Sequence, residues 1–236
     1  MASPILQVES VSAGYGETMV IEGVGLTLDE RQSFAVLGRN GVGKTTLLST
    51  IMGLTTLHGG SMRLRDLEIS GLSPQARSRA GLALVPQERQ IFRSLTVEEN
   101  LLVAARKGAW NSGRVFELFP RLEERRRNYG NQLSGGEQQM LAIGRALVTN
   151  PHVVLMDEPF EGLAPVIVDT LLDAFNALRK DGGMSIILVE QHAELALELT
   201  DHACVIDRGS IVWSGESASL LRDPERLSSL IGLQHI

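Results

Sequence analysis

The run Gly38-Arg39-Asn40-Gly41-Val42-Gly43-Lys44-Thr45-Thr46 sets glycines, a lysine and a hydroxyl at the spacing G-x-x-x-x-G-K-[ST]. That spacing suits one chemistry, the cradling of a polyphosphate. Gly38, Gly41 and Gly43 let the backbone turn its N–H groups inward at dihedral angles that a Cβ opposes. Lys44 would then place its charge on the β- and γ-phosphate oxygens, and Thr45 would offer a hydroxyl to Mg²⁺, with Asn40 and Thr46 completing the loop. A second feature belongs to the same chemistry. Val153-Val154-Leu155-Met156-Asp157-Glu158 is an apolar run ending in two acids. Asp157 is placed to hold Mg²⁺ directly or through water, and Glu158 to polarise a water attacking the γ-phosphate. A third is Leu133-Ser134-Gly135-Gly136-Glu137-Gln138. Ser134 and Glu137 stand at capping-box spacing, which by itself marks only a helix start. Two glycines inside that first turn cost about 1 kcal/mol each relative to alanine. They point to something approaching the backbone there, and a phosphate suits the unpaired N–H groups.

These groups need elements to hold them. Short apolar runs at Phe34–Leu37, Leu82–Val85, Val153–Met156 and Ile186–Val189 read as buried parallel strands. Helical periodicity occupies Thr45–Met52, Val166–Arg179 and Ala193–Thr200, so the alternation predicts an α/β fold with a mostly parallel sheet. In such a sheet ligands collect at the carboxyl ends of the strands, which brings both acids to the phosphate loop. The stretch from about Glu88 to Asn150 reads as a helical lobe inserted into that core, with Thr96 and Glu99 as a capping box. Its charge-dense patch, Arg121 to Arg127, reads as a solvated helix face. The glycine-punctuated stretch up to about Thr27 predicts a small antiparallel sheet.

Composition narrows the function. The 236 residues suit one large α/β domain, 1–236, carrying the lobe. They carry 22 basic and 28 acidic side chains, a net charge of −6, and this argues against a nucleic-acid partner. One cysteine, Cys204, excludes an intrachain disulfide framework and a cysteine-rich zinc site. No positively charged leader and no apolar run of spanning length is evident, so a soluble chain of a reducing compartment is expected.

Taken together, the motifs resemble the nucleotide-binding subunit of an ATP-binding cassette (ABC) transporter, along essentially the whole chain and in the family's order. The resemblance implies a P-loop NTPase core, ATP and Mg²⁺ as cofactors, and ATP hydrolysis coupled to transmembrane transport. It matches Gly38–Thr46 to the Walker A loop, Val153–Asp157 to the Walker B strand and Glu158 to the catalytic glutamate. Gln87, after Val85-Pro86, matches the glutamine that reads Mg²⁺ and the γ-phosphate and couples to the membrane subunit. Tyr15 matches the aromatic that stacks on adenine, though a lone tyrosine serves equally as packing. Leu133–Glu137 matches the signature that caps ATP held by a second subunit, so that two chains sandwich two nucleotides.

Two positions depart from that pattern. Where the family usually carries Thr-His-Asp after the last apolar strand, this chain has Glu190-Gln191-His192. Gln191 stands at the switch position and can donate an amide hydrogen bond but carries no charge. His192, one residue late, is the other candidate. Ala164 replaces the aspartate that helps link the two sites of the dimer. These departures, with Glu161-Gly162-Leu163-Ala164-Pro165 and Val85–Phe92, resemble the ATPase subunits of high-affinity branched-chain amino-acid importers, with urea and short-amide importers as the near alternative. That resemblance implies membrane-spanning permease subunits, a second ABC ATPase subunit of the same or a related chain, a solute-binding protein acting indirectly, and a peripheral position on the cytoplasmic face of the membrane. A DNA-maintenance ATPase with the same motifs inserts long coiled coils between phosphate loop and signature, whereas here about 90 residues separate Lys44 from Ser134. A two-cassette soluble factor would carry two phosphate loops. A non-hydrolysing subunit would not need Lys44, Asp157 and Glu158 intact.

Overall fold

The computed structural model describes residues 4–181 and 183–232. In chain order the strands are β1 (Pro4–Tyr15), β2 (Thr18–Asp29), β3 (Ser33–Leu37), β4 (Thr56–Leu64), β5 (Leu67–Glu68), β6 (Leu82–Val85), β7 (Val153–Asp157), β8 (Ser185–Glu190), β9 (His202–Asp207) and β10 (Ser210–Glu216). The helices are α1 (Lys44–Met52), α2 (Pro74–Arg79), α3 (Val97–Ala104), α4 (Ser112–Leu118), α5 (Pro120–Glu124), α6 (Gly135–Leu147), α7 (Pro165–Asp181), α8 (Ala193–Leu199), α9 (Ser217–Leu221) and α10 (Pro224–Ile231).

Six strands form one sheet in the order β10-β9-β3-β8-β7-β6, parallel from β9 to β6, with β10 antiparallel at its edge. All four apolar runs read from the sequence are strands of this sheet. Their residues alternate between two cores, because successive side chains of a strand point to opposite faces. Val154 and Met156 of β7 join Ile186 and Leu188 of β8 beneath the helices, against Met140, Ile143 and Leu147 of α6. Val153 and Leu155 face the other way with Ile187, Val189 and Cys204, against Leu47, Leu48 and Ile51 of α1.

That second core is closed by a separate antiparallel sheet, ordered β2-β1-β4-β5. The antiparallel expectation for the N-terminal stretch is met, but the sheet extends beyond that stretch because β4 and β5 join it. Their sequence conceals them. Thr56–Leu64 is largely exposed, and it contains Gly59 and Gly60. A Cβ on Gly60 would lie 2.5 Å from the carbonyl oxygens of both Glu9 and Ser10, where β1 bulges. The glycine therefore serves a close backbone approach rather than ending the strand.

The region between β6 and β7 is helical as expected, but not uniformly so. Residues 86–96 form an irregular segment before α3, and α6 packs directly against β6 as well as α3, so this helix belongs to the core as much as to the lobe. Both capping boxes are present, at Thr96/Glu99 and Ser134/Glu137. The arginine patch is less detached than a solvated face. Arg121 and Arg125 approach Glu137 at 3.1 and 3.4 Å, and Arg126 pairs with Glu98 at 2.6 Å. No helix among the described residues is long and apolar enough to cross a membrane.

Candidate nucleotide site

Parallel strands in register place their carboxyl-end loops side by side. Leu37 pairs with Glu190, Val189 with Asp157, and Met156 with Val85, so the residues leaving β3, β8, β7 and β6 emerge on one edge. Those residues are Gly38, Gln191, Glu158 and, two positions past Val85, Gln87. Gln191, Glu158 and Gln87 meet around a cavity of about 290 Å³ also lined by Asn40, Gly41, Gly43, Lys44, Thr45, Thr46, Val20 and Glu161, while Gly38 begins the loop outside that lining.

The loop has the conformation that its composition predicts. Gly41 and Gly43 adopt φ of 78° and 112°, and Gly43 begins α1 with no side-chain cap on the helix's first N–H groups. A helix start without a side-chain acceptor suits an anion. Gly38 has a second reason to lack a side chain, because a Cβ there would sit 2.4 Å from the Ile206 carbonyl oxygen. Lys44 is 4% exposed. Its Nζ donates to the carbonyl oxygens of Gly38 and Arg39 at 2.9 and 3.0 Å and stands 3.4 Å from Glu158 Oε1. The Thr45 hydroxyl donates to Asp157 Oδ1 at 3.2 Å. Burial pushes the Asp157 carboxyl up to about 6; the Thr45 bond and Lys44 oppose that, and Glu158 adds to it.

Glu158 is where the site converges. Its Oε2 accepts from Gln87 Nε2 at 3.3 Å and from Gln191 Nε2 at 2.7 Å. Its backbone lies in the left-handed region, at φ 46°, held by its N–H donating to the Val189 carbonyl at 2.9 Å. A non-glycine residue kept there is strain of the kind found at functional sites.

Not every candidate reaches this cavity. Gln191 does; His192 is exposed, lies one residue beyond at the start of α8, and lines a neighbouring cavity with Phe160 and Ile231. Tyr15 stands at the end of β1, half exposed and outside the lining. Ser134, Gly135, Gly136 and Glu137 lie away from the cavity at the start of α6. There Glu137 is held below its ordinary value: burial opposes this, and the Ser134 amide and hydroxyl with Arg125 and Arg121 outweigh it. Gly136 also has a packing explanation, since a Cβ on it would fall 2.7 Å from Ile167 Cγ2 of α7.

Two site residues escape a motif reading. Glu161 lines the cavity and accepts a hydrogen bond from Gln87 Nε2. Glu190, 1% exposed at the end of β8, accepts from the backbone N–H groups of Phe160 and Gln191. An acid four residues past a strand end, or one closing an apolar strand, gives no linear signal of where it turns.

Comparison with known proteins identifies the family. The ABC transporter family model matches residues 21–161. The chain is 39% identical over 233 residues to the high-affinity branched-chain amino acid transport ATP-binding protein BraG of Pseudomonas aeruginosa, covering 97% of this chain and all of that one. It is 36% identical to the probable branched-chain amino acid transport ATP-binding protein LivF of Archaeoglobus fulgidus, covering 92% and 94% of the two chains. The ADP conformation of MJ1267, an ATP-binding cassette of an ABC transporter, superposes with a TM-score of 0.80 at 25% identity, covering 97% and 99% of the two chains. The chain belongs to the ABC transporter family as its ATP-binding cassette, and it is an ATPase.

Proposed function

We propose that residues 1–236 act as one cassette that powers import of branched-chain amino acids, bound peripherally at the cytoplasmic face of a membrane beside permease subunits and a second ATPase subunit. The observation that carries the mechanism is the meeting of Lys44, Thr45, Gln87, Glu158 and Gln191 at one cavity fed by four adjacent strand ends. The likeness to BraG and LivF carries the choice of solute, with a solute-binding protein acting on the permeases rather than on this chain.

In this reading the N–H groups of Gly41–Thr46 and the Lys44 ammonium bind the β- and γ-phosphates of ATP. Thr45 and Asp157, whose oxygens stand 3.2 Å apart, offer the hard oxygen donors that suit Mg²⁺, with Gln87 as a further donor. Bound there, the ion would supply neutralisation of the phosphate charge. Glu158 takes one proton of the attacking water as the water oxygen bonds to the γ-phosphorus, giving inorganic phosphate. The γ-phosphorus–oxygen bond to the leaving ADP then breaks, and Gln191 holds Glu158 in place for that step. The segment after Gln87 touches α6 twice, through Arg145 Nη1 donating to the Gln90 carbonyl at 2.6 Å and the Arg145 guanidinium 4.4 Å from the Phe92 ring centroid. A shift at Gln87 would therefore reach the helix that carries Ser134–Glu137, which we assign to the nucleotide of the second subunit.

One purification tests this. The Glu158→Gln chain, isolated in detergent with ATP and Mg²⁺, should retain unhydrolysed ATP, a second ATPase subunit and permease subunits identifiable by mass spectrometry. Lys44→Ala should retain no nucleotide. Permeases of an export system among the captured partners would overturn the importer reading, and parental turnover by Glu158→Gln would remove that residue from the mechanism.

A further inference from the structure

Glu190 occupies a position that burial alone would forbid to a carboxyl group. It is 1% exposed, and no cation among the described residues lies within ion-pair distance of it. A buried charge without a partner is costly, so such a group persists where its hydrogen bonds do something specific. Its two oxygens are divided between two loops. Oε1 accepts from the Phe160 N–H at 3.3 Å, two residues beyond Glu158, and Oε2 accepts from the Gln191 N–H at 3.2 Å. Gln191 in turn donates its side-chain amide to Glu158 Oε2 at 2.7 Å. The chain of contacts closes a ring: Glu158 to Phe160 through the backbone, Phe160 to Glu190, Glu190 to Gln191, and Gln191 back to Glu158.

We infer that Glu190 is a positioning residue for hydrolysis, a buried carboxyl that clamps the loop leaving Glu158 to the segment carrying Gln191 and so fixes where the Gln191 amide meets Glu158. This rests on Glu158 being the general base. The ring has no member in the phosphate loop, so it bears on the chemical step and not on nucleotide capture. Both loops leave strand ends whose register is already fixed by β7 pairing with β8, so the sheet sets their separation and Glu190 sets their local orientation.

The test is Glu190→Gln in the full chain. It preserves shape but presents an NH₂ group to the backbone donors on one side of the carboxyl, breaking one side of the clamp. ATP turnover should show kcat reduced about ten- to a hundredfold, the range for leaving a buried hydrogen-bond donor unpaired, with KM for ATP changed less than about twofold. In a Gln191→Ala background the same substitution should reduce kcat less than about twofold, because the contact it orients is already gone. Parental kcat in Glu190→Gln would overturn the inference. So would a loss confined to KM, or an equal loss in both backgrounds. Failure of the unaltered chain to hydrolyse ATP would instead overturn the reading of Glu158 on which the inference rests.

Discussion

At the scale of single residues, the site holds two acids that burial pushes toward neutrality. Burial pushes Asp157 up to about 6 and Glu190 up to about 7, with Glu158 adding to the rise at Glu190 and the N–H groups of Phe160, Gln191 and His192 opposing it. The charged group facing Glu190 is Glu158, which carries Lys44 on its other oxygen at 3.4 Å. An acid whose folded value exceeds its unfolded one favours the fold while it is protonated, and it surrenders that contribution as pH rises through the folded value. Between pH 6 and pH 8, Glu190 should therefore cost the fold about 1 kcal/mol. Urea titrations at the two pH values should show a smaller pH difference for Glu190→Gln than for the parent by about that amount. An identical difference in both would mean that Glu190 titrates outside this window. Stability given up at a site in exchange for a usable arrangement of groups is a common balance in enzymes.

At the scale of elements, α6 shows how one position serves two demands. The glycines at its first turn suggest a ligand when read along the sequence, and the capping box marks where the helix begins. The packing adds what a one-dimensional pattern lacks: Ile167 of α7 presses on Gly136, so the helix pair can approach only where a Cβ is missing. Gly136→Ala should destabilise the chain by about 1–3 kcal/mol by overpacking. The penalty should fall to near zero in an Ile167→Ala background, as read by chemical denaturation; an equal penalty in both would place the cause in the helix turn itself. The same limit explains β4. Propensity places no strand across Gly59-Gly60, because the need for glycine there comes from the bulge of β1, which is remote in sequence and adjacent in space. By contrast the four core strands were legible, since each is a short apolar run buried on both faces, and burial of that kind leaves its mark directly in residue type. Among the candidate site residues, the loop, Asp157 and Glu158 were legible because polyphosphate chemistry dictates their spacing, whereas Gln87 was legible only through the family resemblance. That Gln191 and not His192 lines the cavity needed the direction in which β8 ends, and the placement of Glu161 and Glu190 needed the fold itself.

At the scale of the whole molecule, two sheets sandwich α1, and the face they share holds Cys204 of β9, fully buried among Val189, Ile187 and Leu48. Burial pushes its thiol up to about 12, so the thiolate that reacts with electrophiles is scarce and shielded. It is also the chain's only sulfhydryl. A maleimide at pH 7 should therefore leave the native protein untouched and modify one site per chain once denaturant opens it, as intact-mass measurement would show. Modification of the native state at the rate of a small thiol would contradict the burial. This silent sulfur makes the cassette a convenient host for spectroscopy: a cysteine introduced on the surface would be the sole attachment point for a dye or spin label, with no need to engineer the native one away, and the native one would separately time the loss of the interior.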